Sequence, residues 1–347
     1  MKILRKIKEK LNIILLLSFT ILVLYFTMKD DFVNVVKKLF NLNVFWILVS
    51  IFLVLGFVFF KALGTKALIK QKYKEYRFRD AFMMLLSVHF FNYITPYSAG
   101  GHPAGVRIMN KEKIKISDAT NYTIQMFLVY QIALVIIQSI SVFIIINNKL
   151  FPNNVLINTL GIIGLGIDIA IVIVLFLFSY SKRLKTFLMI IGVNILYLLR
   201  IVKDKQNTLE QWNNNVKEFH ENTRVLLNNK KEFVFSVACH FLALISLYLV
   251  PLVILFAAGD YTSFNALESI ITVSCIMMIG DLFPVPGGAG GIEYGFSILF
   301  GIYVTGSTLA VILIAWRFVT YYLSIILGLI SFNIQEINFK KRKTKED

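Results

Sequence analysis

The feature that most constrains this chain is a series of uninterrupted apolar runs, each long enough to cross a lipid bilayer as a helix. Clear runs occupy about Leu11–Thr27, Val44–Leu63, Asn121–Ile146, Val155–Ser179, Phe233–Ala257 and Ser307–Phe332. A bilayer core about 30 Å thick takes about 20 apolar residues per helical crossing. Inside it every backbone N–H and C=O must be satisfied by the protein, which a helix does within its own segment. No stretch alternates polar and apolar residues for long, which argues against a membrane β-barrel. Charged residues make up only 16% of the chain, against roughly 25% in a soluble domain. The expectation is an all-α polytopic membrane protein.

Charge orders the spans. The formal net charge is +16, which in a soluble protein would suggest nucleic acid. Here the Lys and Arg lie between apolar runs and at the termini, where they set orientation, and no nucleic-acid partner is expected. Five basic residues in Lys2–Lys10, seven in Lys61–Arg79, ten in Lys182–Lys231 and five in Lys340–Lys345 assign these segments to the cytoplasm. Asn147–Asn154 has only Lys149, and Gly259–Ala266 has no Lys or Arg, so both are expected outside. No A-x-A-like cleavage site follows Phe26, so the first run is read as a retained helix. A cell-membrane protein with both termini cytoplasmic follows.

Two apolar stretches do not fit as plain spans. Ala81–Thr95 runs into Pro96-Tyr-Ser-Ala-Gly100-Gly101-His-Pro103. Ala266–Phe283 runs into Pro284-Val-Pro286-Gly287-Gly288-Ala-Gly290-Gly291, followed by the short run Tyr294–Val304. Proline and glycine at this density stop a helix. Arg79 and Lys182 must lie on one side with two spans between them, so 81–118 makes no net crossing. The same count applied to the cytoplasmic tail removes a net crossing from 266–305. Both regions are expected to be re-entrant hairpins, the first open to the cytoplasm and the second to the outside. The chain then reads as two inverted repeats, 1–146 and 147–335, with a basic tail at 336–347. Such repeats, with broken helices meeting near the midplane, are a transporter architecture. Eight ordinary spans with one violation of the charge rule is the plainer alternative.

The second repeat carries a cytoplasmic insert, 182–231. Leu209, Trp212, Val216, Phe219, Thr223 and Leu226 recur at three- and four-residue steps, one face of an amphipathic helix. That face packs under the membrane domain or meets a partner protein or second copy.

The two broken regions also carry a resemblance. Thr95-Pro-x-x-Ala99-Gly-Gly-x-Pro103 followed by Arg107, and Pro284-x-Pro286-Gly-Gly-x-Gly290 followed by Glu293, resemble the two signatures of flippase-like proteins related to the membrane domain of lysylphosphatidylglycerol synthase. The likeness in span pattern covers nearly the whole chain, and the residue-level match covers two stretches of under about twenty residues. The resemblance implies movement of a phospholipid or polyprenyl-type lipid, with an anionic or zwitterionic head group, between leaflets. The aminoacyl-transferase half of the synthases has no counterpart before Asp347. His102 departs from the family, which often has an acidic residue there.

A lipid translocator must shelter a polar head group, and helix ends, free backbone groups and glycine-permitted close approach supply that shelter. The expected substrate-binding set is Asn92, Thr95, Pro96, Gly100, Gly101, His102, Arg107, Asp281, Pro284, Pro286, Gly287, Gly288, Glu293 and Arg317. Arg107 is a candidate phosphate fork. Arg317, in the middle of the last span, needs a partner, for which Asp281 and Glu293 are the candidates. Arg107, Asp281, Glu293 and Arg317 are expected to converge. Asp168, His89 and His240 are candidates for proton coupling, though a lone histidine in an apolar run is more often a core residue. Cys239 and Cys275 read as packed free thiols. No metal-ligand spacing and no phosphate loop occur, so neither cofactor nor metal is expected. Two other readings remain. Asp30-Asp31 after the first span would suit a metal-dependent polyprenyl-phosphate glycosyltransferase, and a membrane domain alone would suit a non-transporting scaffold for a lipid-modifying enzyme.

Overall fold

The computed structural model describes residues 32–148, 155–180, 190, 194, 229–283 and 285–346. The first expected span, Asp30-Asp31, Pro284 and the amphipathic face at 209–226 lie outside the described residues. Within them every regular element is helical. In chain order these are α1 (Phe32–Phe40), α2 (Val44–Lys70), α3 (Phe78–Tyr93), α4 (Gly101–Lys111), α5 (Ile116–Asn148) and α6 (Val155–Tyr180). There follow α7 (Lys230–Tyr248), α8 (Val250–Ala257), α9 (Ala266–Gly280), α10 (Gly291–Phe300), α11 (Gly306–Arg317) and α12 (Leu323–Glu346). Five stretches are long and apolar enough to cross a membrane: Val44–Lys70, Ile116–Asn147, Thr159–Leu177, Lys230–Ala257 and Gly306–Arg342. The chain is a polytopic α-helical membrane protein.

Several boundaries differ from the sequence reading, each for a local reason. The second span runs seven residues past Leu63, to Lys70, because nothing in Gly64–Lys70 breaks a helix. The fourth described span, Lys230–Ala257, divides at Leu249, where Pro251 enters the first turn of α8 and can donate no backbone hydrogen bond to the preceding turn. The last span begins at Gly306 and continues through a π-helical turn, Phe318–Tyr322, into a helix that carries the basic tail to Glu346. A short helix that the sequence reading did not expect, α1, precedes the second expected span. Val35 is buried against Ala310 and Val311 of α11, and Lys38 Nζ donates to Thr308 Oγ1 at 2.7 Å.

The most extensive packing joins α2 to α7. Small residues allow it: a Cβ on Gly64 would stand 3.0 Å from both His240 Nδ1 and Ser236 Oγ. Close approach at small residues is how helices associate where the solvent is itself apolar. At one end of the molecule Asn43 N donates to Ala257 O at 2.9 Å, and Trp46 packs on Tyr261 and Phe256. The opposite end is basic. There Arg77, Arg79, Lys340, Lys341 and Arg342 line an open basin of about 710 Å³ together with Asp80 and Glu112.

The two broken regions are helix–turn–helix units, α3–α4 and α9–α10. At 1.5 Å per residue α3 is about 24 Å long and α9 about 22 Å, both short of a bilayer core. The longer half of each packs on a helix from the other half of the chain: α3 on α12, and α9 on α5. Ser331 Oγ donates to Met83 O at 2.8 Å across the first of these contacts. The turns of the two units touch each other.

Candidate functional site

The site is where the two turns meet. Each begins at a proline, Pro96 or Pro286, that opens a single 3-10 turn. The backbone before it is extended in both, with φ −123°, ψ 144° at Thr95 and φ −114°, ψ 145° at Val285. The next two residues are left-handed in both: Tyr97 and Ser98 at φ 51° and 54°, Gly287 and Gly288 at φ 65° and 61°. The sequences share Pro-x-x-Ala-Gly-Gly, Pro96–Gly101 and Pro286–Gly291. A common register was thus present in the sequence, hidden because the second tip spends glycines where the first has Tyr97-Ser98. The paths diverge after the alanine, where Gly100 is right-handed at φ −74° and Gly290 turns to φ 91°.

The first tip closes through Thr95. Its hydroxyl donates to Phe91 O at 2.7 Å and accepts from Gly100 N at 2.9 Å. Glycine is required at 100 and 101 for space rather than for conformation. A Cβ on Gly101 would run into the Asn92 amide, and one on Gly100 would stand 2.7 Å from Thr95 Cγ2. Asn92 Oδ1 is buried there without a hydrogen-bond partner among the described residues.

The second tip closes through an ion pair. Arg317, last residue of α11, donates from Nε to Glu293 Oε1 at 2.6 Å and from Nη2 to Gly287 O at 3.1 Å. Glu293 Oε2 accepts from Gly290 N at 2.6 Å, tying the first turn of α10 to the tip. Arg317 stacks on Tyr321 at 5.1 Å, and Tyr321 donates its hydroxyl to Tyr93 O at 2.9 Å. One π-turn side chain therefore bridges the two units. A Cβ on Gly287 would enter the Tyr321 ring.

Residues 13–328 match the family model for the lysylphosphatidylglycerol synthase TM region. The chain belongs to this family. No curated protein matches it. Membership, with the five long apolar stretches, makes it a multi-pass protein of a lipid-handling membrane family.

The remaining expected site residues fall in three places. Of Arg317's two candidate partners the structure selects Glu293. Asp281, the C-cap of α9, forms no ion pair among the described residues. Arg107 does not join that pair. Six residues beyond Gly101, about 9 Å along the helix, it reaches Glu336 Oε1 of α12 at 3.2 Å, and Lys111 binds the same carboxylate at 2.6 Å. His102 is exposed at the start of α4, edge-on to Phe127 at 5.0 Å. Asp168 is 4% exposed and accepts from Gln131 at 3.3 Å and Gln138 at 2.8 Å, so two amides of α5 hold the carboxyl of α6. His240 is buried with Nδ1 2.8 Å from Ser236 O. His89 is buried, stacked on Tyr93 at 5.9 Å, and its Nε2 has no hydrogen-bond partner among the described residues. Among the described residues no group of His, Cys, Asp and Glu could hold a metal ion.

Sequence reasoning missed Lys61. It was assigned to the cytoplasmic basic segment, but α2 continues nine residues beyond it, about 14 Å along the axis. Its ammonium lies over the rings of Phe57 at 5.0 Å and Tyr130 at 4.7 Å. The signal was a lysine with apolar residues on both sides, Phe59-Phe60-Lys61-Ala62-Leu63.

Proposed function

We propose that this protein moves a phospholipid or polyprenyl-type lipid between membrane leaflets, passing the head group beside the paired tips. The observation that carries the proposal is the meeting of two Pro-x-x-Ala-Gly-Gly turns of matching left-handed backbone in a lipid-handling family. The short halves of α3–α4 and α9–α10 support reading them as re-entrant units. The exchange of partners, α3 on α12 and α9 on α5, supports reading the chain as two inverted repeats, 1–146 and 147–335. In that architecture irregular backbone at membrane depth faces protein or a polar passage, and its free N–H and C=O groups meet a head group. The basic end, with Arg77, Lys111 and Lys340, is taken as cytoplasmic. No covalent chemistry is required.

Leaflet exchange of a fluorescent phospholipid in proteoliposomes tests this. The wild type is expected to accelerate exchange above protein-free vesicles, and Gly101→Val with Gly287→Val to abolish the gain while the isolated protein remains folded. Exchange at the protein-free rate by folded wild type, across anionic and zwitterionic head groups, contradicts the proposal and leaves the scaffold reading ahead.

A further inference from the structure

A buried ammonium is costly unless something negative accompanies it. Among the described residues Lys61 has no such companion: no carboxylate lies within 4.0 Å of its amine, and the Phe57 and Tyr130 rings flank it. Cation–π contacts compensate a desolvated ammonium only in part. A lysine so placed either gives up its proton or takes its anion from a ligand.

The surroundings favour a ligand. From Lys61 a file of rings leads to the second tip: Phe57 to His89 at 5.2 Å, His89 to Tyr93 at 5.9 Å, and Tyr93 to Tyr321 at 5.1 Å. Tyr321 then carries Arg317 at 5.1 Å. Cations therefore stand at both ends of one aromatic file. They are not equivalent, because Glu293 neutralises Arg317 and no described carboxylate pairs with Lys61. His89, His102 and His240 all lie within electrostatic reach of the lysine and carry no negative charge. The lysine's side chain is only partly withdrawn from solvent, so the position can be entered.

We propose that Lys61 is the seat for the phosphate of a lipid head group, joined to the tip pair by the aromatic file. The assignment rests on the lipid-moving function and adds the substrate's chemistry: a phosphate-bearing head group, recognised by one unpaired ammonium flanked by rings. An apolar lipid without phosphate would gain nothing there, and a bound phosphate would supply the missing countercharge.

The test uses the full chain in detergent, with phosphatidylglycerol and with diacylglycerol, which lacks the phosphate. Retention of each lipid is measured by native mass spectrometry for wild type, Lys61→Arg and Lys61→Met. Lys61→Met should keep or raise thermal stability, because it removes a partly desolvated charge that no described carboxylate balances. It should lower phosphatidylglycerol affinity about ten- to hundredfold, the loss expected for one charge-assisted contact, and leave diacylglycerol unchanged. Lys61→Arg should retain most of the affinity. A folded Lys61→Met protein that holds phosphatidylglycerol as well as the wild type overturns the proposal. So does inorganic phosphate alone binding wild type but not Lys61→Met while the two bind both lipids alike, which would assign the seat to the free ion. Leaflet exchange separates the two levels. Wild type that moves no lipid yet binds phosphatidylglycerol through Lys61 keeps the seat and removes translocation, whereas Lys61→Met that moves lipid at the wild-type rate does the reverse.

Discussion

At the scale of residues, two arginines that look alike in sequence do different work. Arg317 and Glu293 are each nearly enclosed, with side chains 12% and 10% exposed. Glu293→Gln leaves the Arg317 guanidinium without its countercharge, and breaking a buried pair costs about 3–5 kcal/mol. Arg107 is 58% exposed and shares Glu336 with Lys111, so Arg107→Ala should cost below about 1 kcal/mol. Denaturant or thermal unfolding in detergent compares them, and equal losses would contradict the assignment. Tyr97 supplies a second case. A left-handed non-glycine residue costs roughly 1–2 kcal/mol, and Tyr97 is 67% exposed, so its ring returns little packing. Tyr97→Gly should unfold at the same or a higher temperature. If leaflet exchange also slows, the ring is kept for contact with the lipid; a marked loss of stability would mean that it packs.

Glu112 gives the basic end a pH dependence. Burial first, then the nearby charge of Asp80, raises its carboxyl to about 8, while a hydrogen bond from Tyr76 acts the other way. The folded state thus holds this proton more tightly than the unfolded chain. The contribution is fully present below the ordinary glutamate range and is lost as pH rises through about 8. Unfolding temperature should fall between about pH 5 and 9, and Glu112→Gln should flatten the fall; an unchanged slope removes the assignment.

At the scale of elements, the sequence was most legible where composition alone decides. Apolar length located five described spans within a few residues, apart from the ends at Lys70 and Arg342. Charge alone brought Arg79 and the Lys340–Arg342 run to one end. It was least legible where tertiary contact decides. Nothing local shows that Lys61 stays inside a helix until α2 is seen to run to Lys70, and α1 is too short to announce itself without the α11 surface it covers. Asp281 and Glu293 were equally plausible partners for Arg317, because choosing between them depends on how the tip folds back. Arg107 was placed by its sequence distance from a glycine motif, which cannot register that α4 carries it toward α12. The topology reading remains open to single-cysteine labelling in a Cys239→Ala, Cys275→Ala background. Lys113→Cys should react with an impermeant thiol reagent only from the cytoplasmic side and Asp260→Cys only from outside. Labelling of Lys113→Cys from outside intact cells would remove the first re-entrant unit.

At the scale of the whole molecule, the two tips share backbone form but not the means of closure. Thr95 closes one with a hydroxyl, and Arg317 with Glu293 closes the other with charge. One half is neutral and close-packed, the other charged and joined by rings to Lys61. Under the proposed function, a head group passing the tips would meet a neutral turn and a charged one rather than two identical turns. The most direct measurement is therefore photo-crosslinking in vesicles with a phospholipid whose head group carries the reactive group, followed by peptide mapping. The account predicts adducts in Asn92–His102 and Leu282–Glu293, reduced by excess unlabelled phosphatidylglycerol. Adducts confined to the basic basin, at Arg77–Asp80 and Lys340–Arg342, would contradict it.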